Sequence, residues 1–277
     1  MSSTATPASR RLDYRHPWPV RIWHWANAAA ILVLIASGFL IFDIHPSLYW
    51  GDDGHAGLPA LASLTSPNLD QPNPSIELQI GGWRRDVTGV IGTVVDEGDS
   101  GKYLLVAAPP DDWEFGATRG WHFLSAWVVG LSAPLYLAYL LASRRLTRRL
   151  LPTRAELGPH RVARAVWEHL RLRRARGEAA AQYNVLQKLA YLVVLFVLLP
   201  VTVLSGLTMS HTITAEFPGL FALFDGRQSA RTIHFCAATL TTLFLATHVF
   251  QVCVAGFRNL MRSMITGRFV VDPTEHS

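Results

Sequence analysis

Four histidines lie inside long apolar stretches of this sequence, at His24, His122, His234 and His248. An ionisable side chain within a membrane-spanning segment is costly, and it usually faces other helices, where it has a function. Imidazole is a preferred ligand of haem iron, and a six-coordinate haem takes one axial ligand on each face. A single histidine of this kind could equally hydrogen-bond a neighbouring helix, so the joint arrangement of the four decides the interpretation.

The spacing of the four histidines predicts two pairs. His234 and His248 lie in one apolar stretch, and in an α-helix their separation in sequence places them about 40° apart around the axis and about 21 Å apart along it. In a hydrocarbon core about 30 Å thick they would lie in opposite leaflets. His24 begins the first stretch and His122 begins the second. Depth therefore pairs His24 with His248 around an inner haem and His122 with His234 around an outer haem.

An arginine precedes three of these histidines by three residues. The R-x-x-H pairs are Arg21–His24, Arg119–His122 and Arg231–His234. This spacing places each arginine on the same side of the helix as its histidine, one turn nearer the water. Haem propionates point toward that water, so the three arginines are predicted to bind them. Any one of these arginines alone would be interpreted as an ordinary anchor at a helix end.

Two glycines are predicted to leave room for the outer haem ring. Gly38 follows His24 by the same spacing that separates His234 from His248, and Gly206 lies at a similar depth in the third apolar stretch. Both follow a serine, in the pairs Ser37-Gly38 and Ser205-Gly206. Small residues are common wherever membrane helices meet, so the two glycines support the haem interpretation without deciding it.

Four stretches are apolar and long enough to span a bilayer, which takes about 20 residues. The predicted spans are Val20–Phe42, Gly120–Ala142, Leu186–Met209 and Thr232–Phe257. The first is too long for the core of a signal peptide and is predicted to be retained. The sequence therefore predicts an all-α membrane protein with a four-transmembrane-helix bundle, in which residues 1–277 form a single di-haem membrane domain.

The distribution of charge predicts the orientation of the spans. The link 143–185 contains eleven arginines and three acidic residues, whereas the link 43–119 contains twelve acidic and four basic residues. The positive-inside rule places the link 143–185 and both termini in the cytoplasm of a bacterial inner membrane, with the link 43–119 outside. Membrane topology and anionic lipid are sufficient explanations for the arginine-rich link, so nucleic acid is not an expected partner.

The link 43–119 is an extracytoplasmic insertion that is too long for a turn. Its first part contains five prolines between Pro46 and Pro74 and is expected to be irregular. Gly89–Asp96 and Tyr103–Ala107 are rich in Val and Leu around a glycine-containing turn, which predicts a β-hairpin. Phe217–Phe224 is predicted to form a short helix at the same membrane face.

Two cysteines, Cys236 and Cys253, lie far apart within the fourth span. This spacing does not suit a metal knuckle, and the sequence has no C-x-x-C-H motif for covalent haem attachment. The predicted haems are therefore of the non-covalent b type, and no iron–sulfur cluster is expected.

At these residues the chain resembles the bacterial cytochrome b561-type membrane subunits. That family includes the b-type cytochromes of nickel–iron hydrogenases, the formate dehydrogenase membrane subunit and the thiosulfate reductase cytochrome b. The resembling segments are V-R-I-W-H-W-A-N-A from Val20, G-W-H-F-L-S-A-W from Gly120, Y-N-V-L-Q-K-L-A-Y from Tyr183 and G-R-Q-S-A-R-T-I-H-F from Gly226. The last two are closest to the branch that is paired with molybdopterin-dependent oxidoreductases. The family's four haem ligands match His24, His122, His234 and His248.

The resemblance implies an electron-transfer subunit that connects the quinone pool to an extracytoplasmic redox subunit, such as a molybdopterin enzyme, a hydrogenase or a c-type cytochrome. No catalytic residue is predicted on this chain, and Gln187 and Lys188 are candidates for contact with quinone. An alternative is a stand-alone quinone-linked oxidoreductase that acts on a small species such as superoxide at the outer haem, which the long outer link disfavours. A four-span transporter or receptor with structural histidines would leave the paired depths unexplained.

Overall fold

A computed structural model of the protein describes residues 11–55, 57–96, 102–105, 114–171 and 182–271. In chain order its helices are α1 (Trp18–Asp43), α2 (Phe115–Ala142), α3 (Pro159–Leu170), α4 (Val185–Val193), α5 (Leu199–Thr208), α6 (His211–Glu216), α7 (Pro218–Phe224) and α8 (Arg227–Thr266). A π-helical turn, Leu146–Leu150, follows α2, and a second, Val194–Leu198, joins α4 to α5.

Four helical segments are long and apolar enough to cross a membrane. They are α1, α2, the continuous segment Val185–Thr208 and α8. Each coincides with one predicted span, and the largest difference is at α8, which begins five residues earlier and ends nine residues later than predicted. The prediction of an all-α membrane protein with four spans is confirmed.

The third span contains a proline near its middle. Pro200 has no backbone N–H, and in a regular α-helix its ring would clash with the carbonyl four residues earlier. The π-helical turn Val194–Leu198 ends two residues before Pro200. Such a turn contains one more residue than an α-helical turn, which shifts the backbone close to the proline. The span therefore stays helical from Val185 to Thr208.

The fourth span is interrupted near its predicted end at Phe257. Gly256 has φ +119° and ψ 70°, outside the helical region, and glycine adopts a positive φ without steric cost. The residues after Gly256 form a separate helical stretch with two arginines, Arg258 and Arg262. The apolar span therefore ends close to where the sequence predicts.

Eight short strands accompany the helices in the described part of the chain. They are β1 (Arg11–Tyr14), β2 (Ser47–Leu48), β3 (Ala62–Thr65), β4 (Glu77–Ile80), β5 (Trp83–Asp86), β6 (Thr93–Asp96), β7 (Lys102–Leu105) and β8 (Arg268–Val271). The predicted hairpin is confirmed in its strands, since β6 and β7 pair antiparallel, and its turn 97–101 lies outside the described residues. The predicted helix over Phe217–Phe224 corresponds to α7.

The first part of the link 43–119, from Pro46 to Pro74, is largely irregular as expected, but it contains the two short strands β2 and β3. Strands β2, β3, β4 and β5 form a four-stranded antiparallel sheet in that order. None of its strands is longer than four residues, which is too short for a strong alternation of apolar and polar residues. Backbone hydrogen bonds between strands stabilise this sheet, for example where Ser63 of β3 pairs with Gln79 of β4. The prolines lie outside the strands.

Contacts divide the chain into two compact units. The first consists of Met1–Ala28, Leu131–Val197 and Thr241–Ser277, and the second consists of Ala29–Gly130 and Leu198–Leu240. His24 and His248 belong to the first unit, whereas His122 and His234 belong to the second. Each predicted histidine pair therefore lies within one unit.

In the first unit, the beginning and the end of the described chain are tied together. Strand β1 pairs antiparallel with β8, from Arg11 opposite Val271 to Tyr14 opposite Arg268. His16 lies just after β1 and is buried, and its ring nitrogens lie 2.7 Å from Ser263 Oγ and 3.0 Å from Tyr183 Oη. These contacts fix the position at which α1 begins, shortly before His24.

Candidate histidine-pair sites

The second unit brings His122 of α2 next to His234 of α8. Their ring centres are 6.3 Å apart, and the ring planes are inclined by 57°. A metal–imidazole nitrogen bond is about 2 Å long and the ring centre lies about 1.1 Å beyond the nitrogen, so two imidazoles on opposite sides of one iron have centres about 6 Å apart. Four further nitrogens come from the porphyrin, so two protein ligands suffice. The spacing of the pair fits a haem iron.

His122 is oriented by a serine of α1. Ser37 Oγ donates to the Val33 carbonyl at 2.6 Å and lies 2.9 Å from His122 Nδ1. Because the hydroxyl proton is engaged by the carbonyl, the serine oxygen accepts from His122 Nδ1–H. This contact fixes the tautomer that leaves Nε2 free for a metal, which is the usual function of the groups around a metal-bound histidine.

His234 is oriented in the same way by α5. Its Nδ1 lies 2.9 Å from the Thr202 carbonyl and 3.3 Å from Ser205 Oγ. A carbonyl can only accept, so Nδ1 carries the proton and donates to Thr202. Ser205 is fully buried and donates to the Val201 carbonyl at 2.6 Å, as Ser37 does to Val33. Both histidines of this pair therefore present Nε2.

The two predicted glycines lie directly against these rings. A Cβ added at Gly206 would lie 3.3 Å from His234 Cε1, and one at Gly38 would lie 3.6 Å from His122 Cε1. The first distance is tighter than ordinary contact, whereas the second is ordinary. In each Ser-Gly pair, the serine hydroxyl lies near Nδ1 of a histidine. The glycine that follows it leaves space beside the ring of the same histidine.

The first unit repeats the ring geometry at His24 and His248. Their ring centres are also 6.3 Å apart, with planes inclined by 54°. His24 Nδ1 is buried and has no hydrogen-bond partner among the described residues, although buried polar atoms nearly always have one. A buried ring nitrogen without a hydrogen-bond partner indicates a site that is complete only when a further group is bound. The spacing of His24 and His248 therefore fits a haem iron as that of His122 and His234 does.

Aromatic rings surround the pair His24 and His248. Phe244 stacks on His248 with ring centres 5.8 Å apart, and Tyr191 meets the same ring edge-on at 6.5 Å. Trp25 meets His24 edge-on, with ring centres 5.1 Å apart. These contacts provide an apolar setting, which sequence spacing alone did not indicate.

Arg231, predicted to bind a propionate, lies at the start of α8 and contacts the outer link. Its Nη1 donates to the Ser47 carbonyl at 2.9 Å, and its Nη2 donates to the His45 carbonyl. Burial, followed by the charge of Arg231, lowers the pKa of His45 below its ordinary value. Arg231 therefore holds the polypeptide just beyond α1, and its contact with a propionate stays a prediction.

The other two predicted arginines have different surroundings. Arg119 is exposed, and its guanidinium lies 5.6 Å from the ring centres of both Phe115 and Phe123. Arg21 donates through Nη1 to the Ile265 carbonyl, while its buried Nε has no partner among the described residues. Both retain donors for an anionic group, and their role as propionate ligands also stays a prediction.

The first turn of α8 is held by a loop that sequence reasoning missed. The Gly51 carbonyl accepts hydrogen bonds from the backbone N–H groups of Gln228 and Ser229 at 3.0 and 3.1 Å. Because these two N–H groups belong to the first turn of the helix, they have no acceptor within it. A Cβ at Gly226 would lie 2.4 Å from Gly51 O, so this approach requires glycine. The segment G-R-Q-S from Gly226 was the sequence signal that could have indicated this contact. Gly226 and Ser229 of that segment position the start of the helix that carries His234.

Gln187 and Lys188, the candidates for quinone contact, have structural partners. Gln187 and Asn184 cap the start of α4 reciprocally. Lys188 Nζ lies 2.8 Å from Glu156 Oε1, and its hydrogen bond holds the pKa of the Glu156 carboxyl below its ordinary value. These contacts account for both residues without quinone.

Comparison with known proteins gives a family match over most of the chain. The model of the prokaryotic cytochrome b561 family matches residues 15–267. The putative protein-methionine-sulfoxide reductase subunit YedZ1 of Azospira oryzae is 23% identical over 246 residues, which are 89% of this chain and 93% of that protein. The probable Ni/Fe-hydrogenase B-type cytochrome subunit of Rhodobacter capsulatus is 44% identical over 39 residues, 14% of this chain and 15% of that protein. No solved structure matches the chain.

Proposed function

The chain belongs to the prokaryotic cytochrome b561 family, and we propose that it is a di-haem cytochrome that transfers electrons between the quinone pool and an extracytoplasmic redox subunit. Membership makes it a multi-pass bacterial membrane protein that binds haem b and takes part in electron transfer. The proposal of two haems rests on one observation, the two histidine pairs with the same 6.3 Å spacing of ring centres. Under this proposal, residues 1–277 act as one membrane domain.

Under this proposal, His24 and His248 would hold one haem, and His122 and His234 would hold the other. Haem supplies reversible one-electron chemistry when bound. The chain's own residues orient the ligands, since Ser37 and the Thr202 carbonyl hold the Nδ1 protons of the outer pair. The spacing of His234 and His248 along α8 supports sites in opposite leaflets, and this is why we infer transfer across the membrane.

We infer that quinol approaches the inner pair through a groove between the start of α1 and the end of α8. The groove has a volume of about 550 Å³, within the range of ligand sites, and is lined by Trp18, Arg21, Ile22, Trp25, Ala26, Met264 and Ile265. Its tryptophans and isoleucines are exposed, so a lipid-soluble quinol can enter it from the bilayer. Trp25, which lines this groove, contacts the ring of His24, so a quinol bound there would lie close to the inner pair.

The partner is inferred from the relatives and from charge. One relative is named as a subunit of a methionine-sulfoxide reductase and another as a subunit of a hydrogenase, which supports a separate redox subunit here, either of these kinds or a c-type cytochrome. The outer link carries twelve acidic residues against four basic ones, and it contains the sheet β2–β5. This link is the surface that we propose for the partner.

Haem stoichiometry tests the proposal directly. Acid–acetone should extract all haem from the purified protein, and a pyridine haemochrome assay should give about two haems per chain, one for each imidazole pair. His122→Ala should give about one haem. His211→Ala, which replaces an exposed histidine just after the third span, should keep two. A wild-type content of one haem would refute the two-site assignment.

A further inference from the structure

A cationic pocket lies in the first unit at the ends of three membrane helices. Its volume is about 230 Å³. Five of the side chains that line it are basic: Arg15, Arg145, Arg148, Arg149 and Lys188. They come from three segments, namely the stretch before α1, residues 145–149 after α2 and the start of α4. The fold therefore assembles the pocket from parts far apart in sequence.

Three of the pocket's five cations have no carboxylate partner among the described residues. Lys188 has a carboxylate partner in Glu156, which balances the charge of that one cation. Arg145 donates to the backbone carbonyl of Arg15 at 3.0 Å, and a carbonyl carries no net charge. Within residues 11–55, 57–96, 102–105, 114–171 and 182–271, Arg145, Arg148 and Arg149 form no salt bridge. An anion bound in the pocket would therefore neutralise charge that no described carboxylate balances.

Three of the four arginines directly after α2 line the pocket and can bind such an anion. Arg145, Arg148 and Arg149 lie within five consecutive residues, and all three line the same pocket. Like charges at this spacing repel one another, and an anion bound among them removes the repulsion. Guanidinium groups bind phosphate through paired N–H donors, so phosphate is the chemistry that this pocket suits.

We propose that the pocket binds the phosphate headgroup of an anionic phospholipid. Arg15 lies three residues before the first residue of α1, and Arg145 lies three residues after the last residue of α2, which is the depth of lipid headgroups. Basic pockets at the ends of membrane helices bind such headgroups. The pocket is also smaller than the roughly 300 Å³ at which sites for whole small-molecule ligands commonly begin, so it holds the headgroup while the acyl chains lie in the bilayer.

Native mass spectrometry of the detergent-solubilised holoprotein tests this site. The protein is titrated with phosphatidylglycerol, with phosphatidylcholine as a zwitterionic lipid and with inorganic phosphate as a soluble competitor. The variant Arg148→Gln with Arg149→Gln removes two charges from the pocket. Its matched control, Arg161→Gln with Arg164→Gln, removes two exposed arginines from α3 in the same basic link.

We expect one tightly held phosphatidylglycerol in the wild type and in the control. In the pocket variant its binding should weaken about thirtyfold, because each basic residue near an anionic lipid contributes about fivefold. Equal weakening in both variants, or equal binding of phosphatidylcholine, would overturn the site. If millimolar phosphate displaced all bound phosphatidylglycerol, the pocket would still be a phosphate site. Its ligand would then be a soluble phosphate, and the assignment to lipid would be overturned. Loss of the inner haem in the pocket variant with unchanged lipid binding would also overturn the proposal, since the bound anion would then be a haem propionate.

Discussion

Ser37 Oγ lies 2.9 Å from His122 Nδ1, and the same oxygen donates its proton to the Val33 carbonyl at 2.6 Å. The serine is therefore an acceptor for the histidine. A metal-bound histidine that loses such a partner typically binds its metal 10- to 100-fold less tightly, roughly the range found for outer-shell mutations. The helix α1 supplies no ligand to the proposed outer haem. The contact nevertheless predicts that Ser37 of α1 affects how tightly that haem is bound.

Ser37→Ala should weaken the binding of the outer haem by about tenfold or more and raise its midpoint potential. The potential rises because a hydrogen-bonded Nδ1–H makes the imidazole a better donor to ferric iron. Ser205→Ala should have a smaller effect, because His234 Nδ1 keeps the Thr202 carbonyl at 2.9 Å. Redox titration of the haem absorption bands measures both variants, with Ser37→Thr as the control that retains a hydroxyl. Equal effects of the two alanine variants would contradict these assigned hydrogen bonds.

The glycine positions give a second prediction. Gly38→Ala should lower the content of the outer haem although its Cβ would make only ordinary contact with His122, because the proposed haem ring needs the same space. Gly206→Ala should lose more haem, since it also displaces His234 by a few tenths of an ångström. Gly130→Ala, whose Cβ would lie 3.7 Å from Val203, is the control and should keep both haems. If Gly38→Ala kept both haems, that glycine would not belong to the haem site.

Sequence patterns predicted the spans and the pairing of the histidines because both follow from helix geometry. A run of apolar residues sets the length of a span, and the constant rise per residue of a helix sets the separation of His234 and His248. The contacts of Ser37 and Thr202 could not be predicted, since they depend on how α1 and α5 are rotated about their axes. The anchoring of Arg231 to the outer link and the sheet β2–β5 depend on loop conformation, which has no regular period.

The pH dependence of stability gives a third prediction. Burial, assisted by the charge of Arg15, lowers the pKa of His16 from 6.5 to about 4, so the folded protein holds this histidine neutral. Between pH 6.5 and 4 the unfolded chain binds a proton that the folded chain does not. Stability therefore falls as the pH drops through this window, by at most about 3 kcal/mol at 1.36 kcal/mol per pKa unit.

His16→Gln should remove this dependence, because an amide does not titrate and can still hydrogen-bond Ser263 and Tyr183. The thermal midpoints of both proteins at pH 7 and pH 4.5 provide the measurement. The wild type should lose more stability than the variant on acidification. A larger loss in the variant would show that His16 is protonated in the folded protein.

Membrane orientation gives a fourth prediction, which rests on the charge asymmetry of the two long links. A reporter that is active only outside the cytoplasm should be active when fused at Gly54 and inactive at Arg161. A cytoplasmic reporter should give the opposite pattern. Activity of the first reporter at Arg161 would reverse the topology and exchange the compartments of the two haem sites.

The last prediction concerns the route of the electron. If His122 and His234 hold the outer haem, His122→Ala removes that haem alone, since the inner pair keeps both of its ligands. In right-side-out vesicles a quinol analogue should still reduce the remaining haem, but transfer to external ferricyanide should be lost, because the gap becomes most of a hydrocarbon core about 30 Å thick. His24→Ala should leave an outer haem that an impermeant external reductant reduces and quinol reduces poorly. His211→Ala, an exposed position outside both pairs, should behave as the wild type in both assays. If both haem-ligand variants lost reduction by quinol and kept exchange with the external reagent, the order of the haems or the side of the quinone site would be wrong.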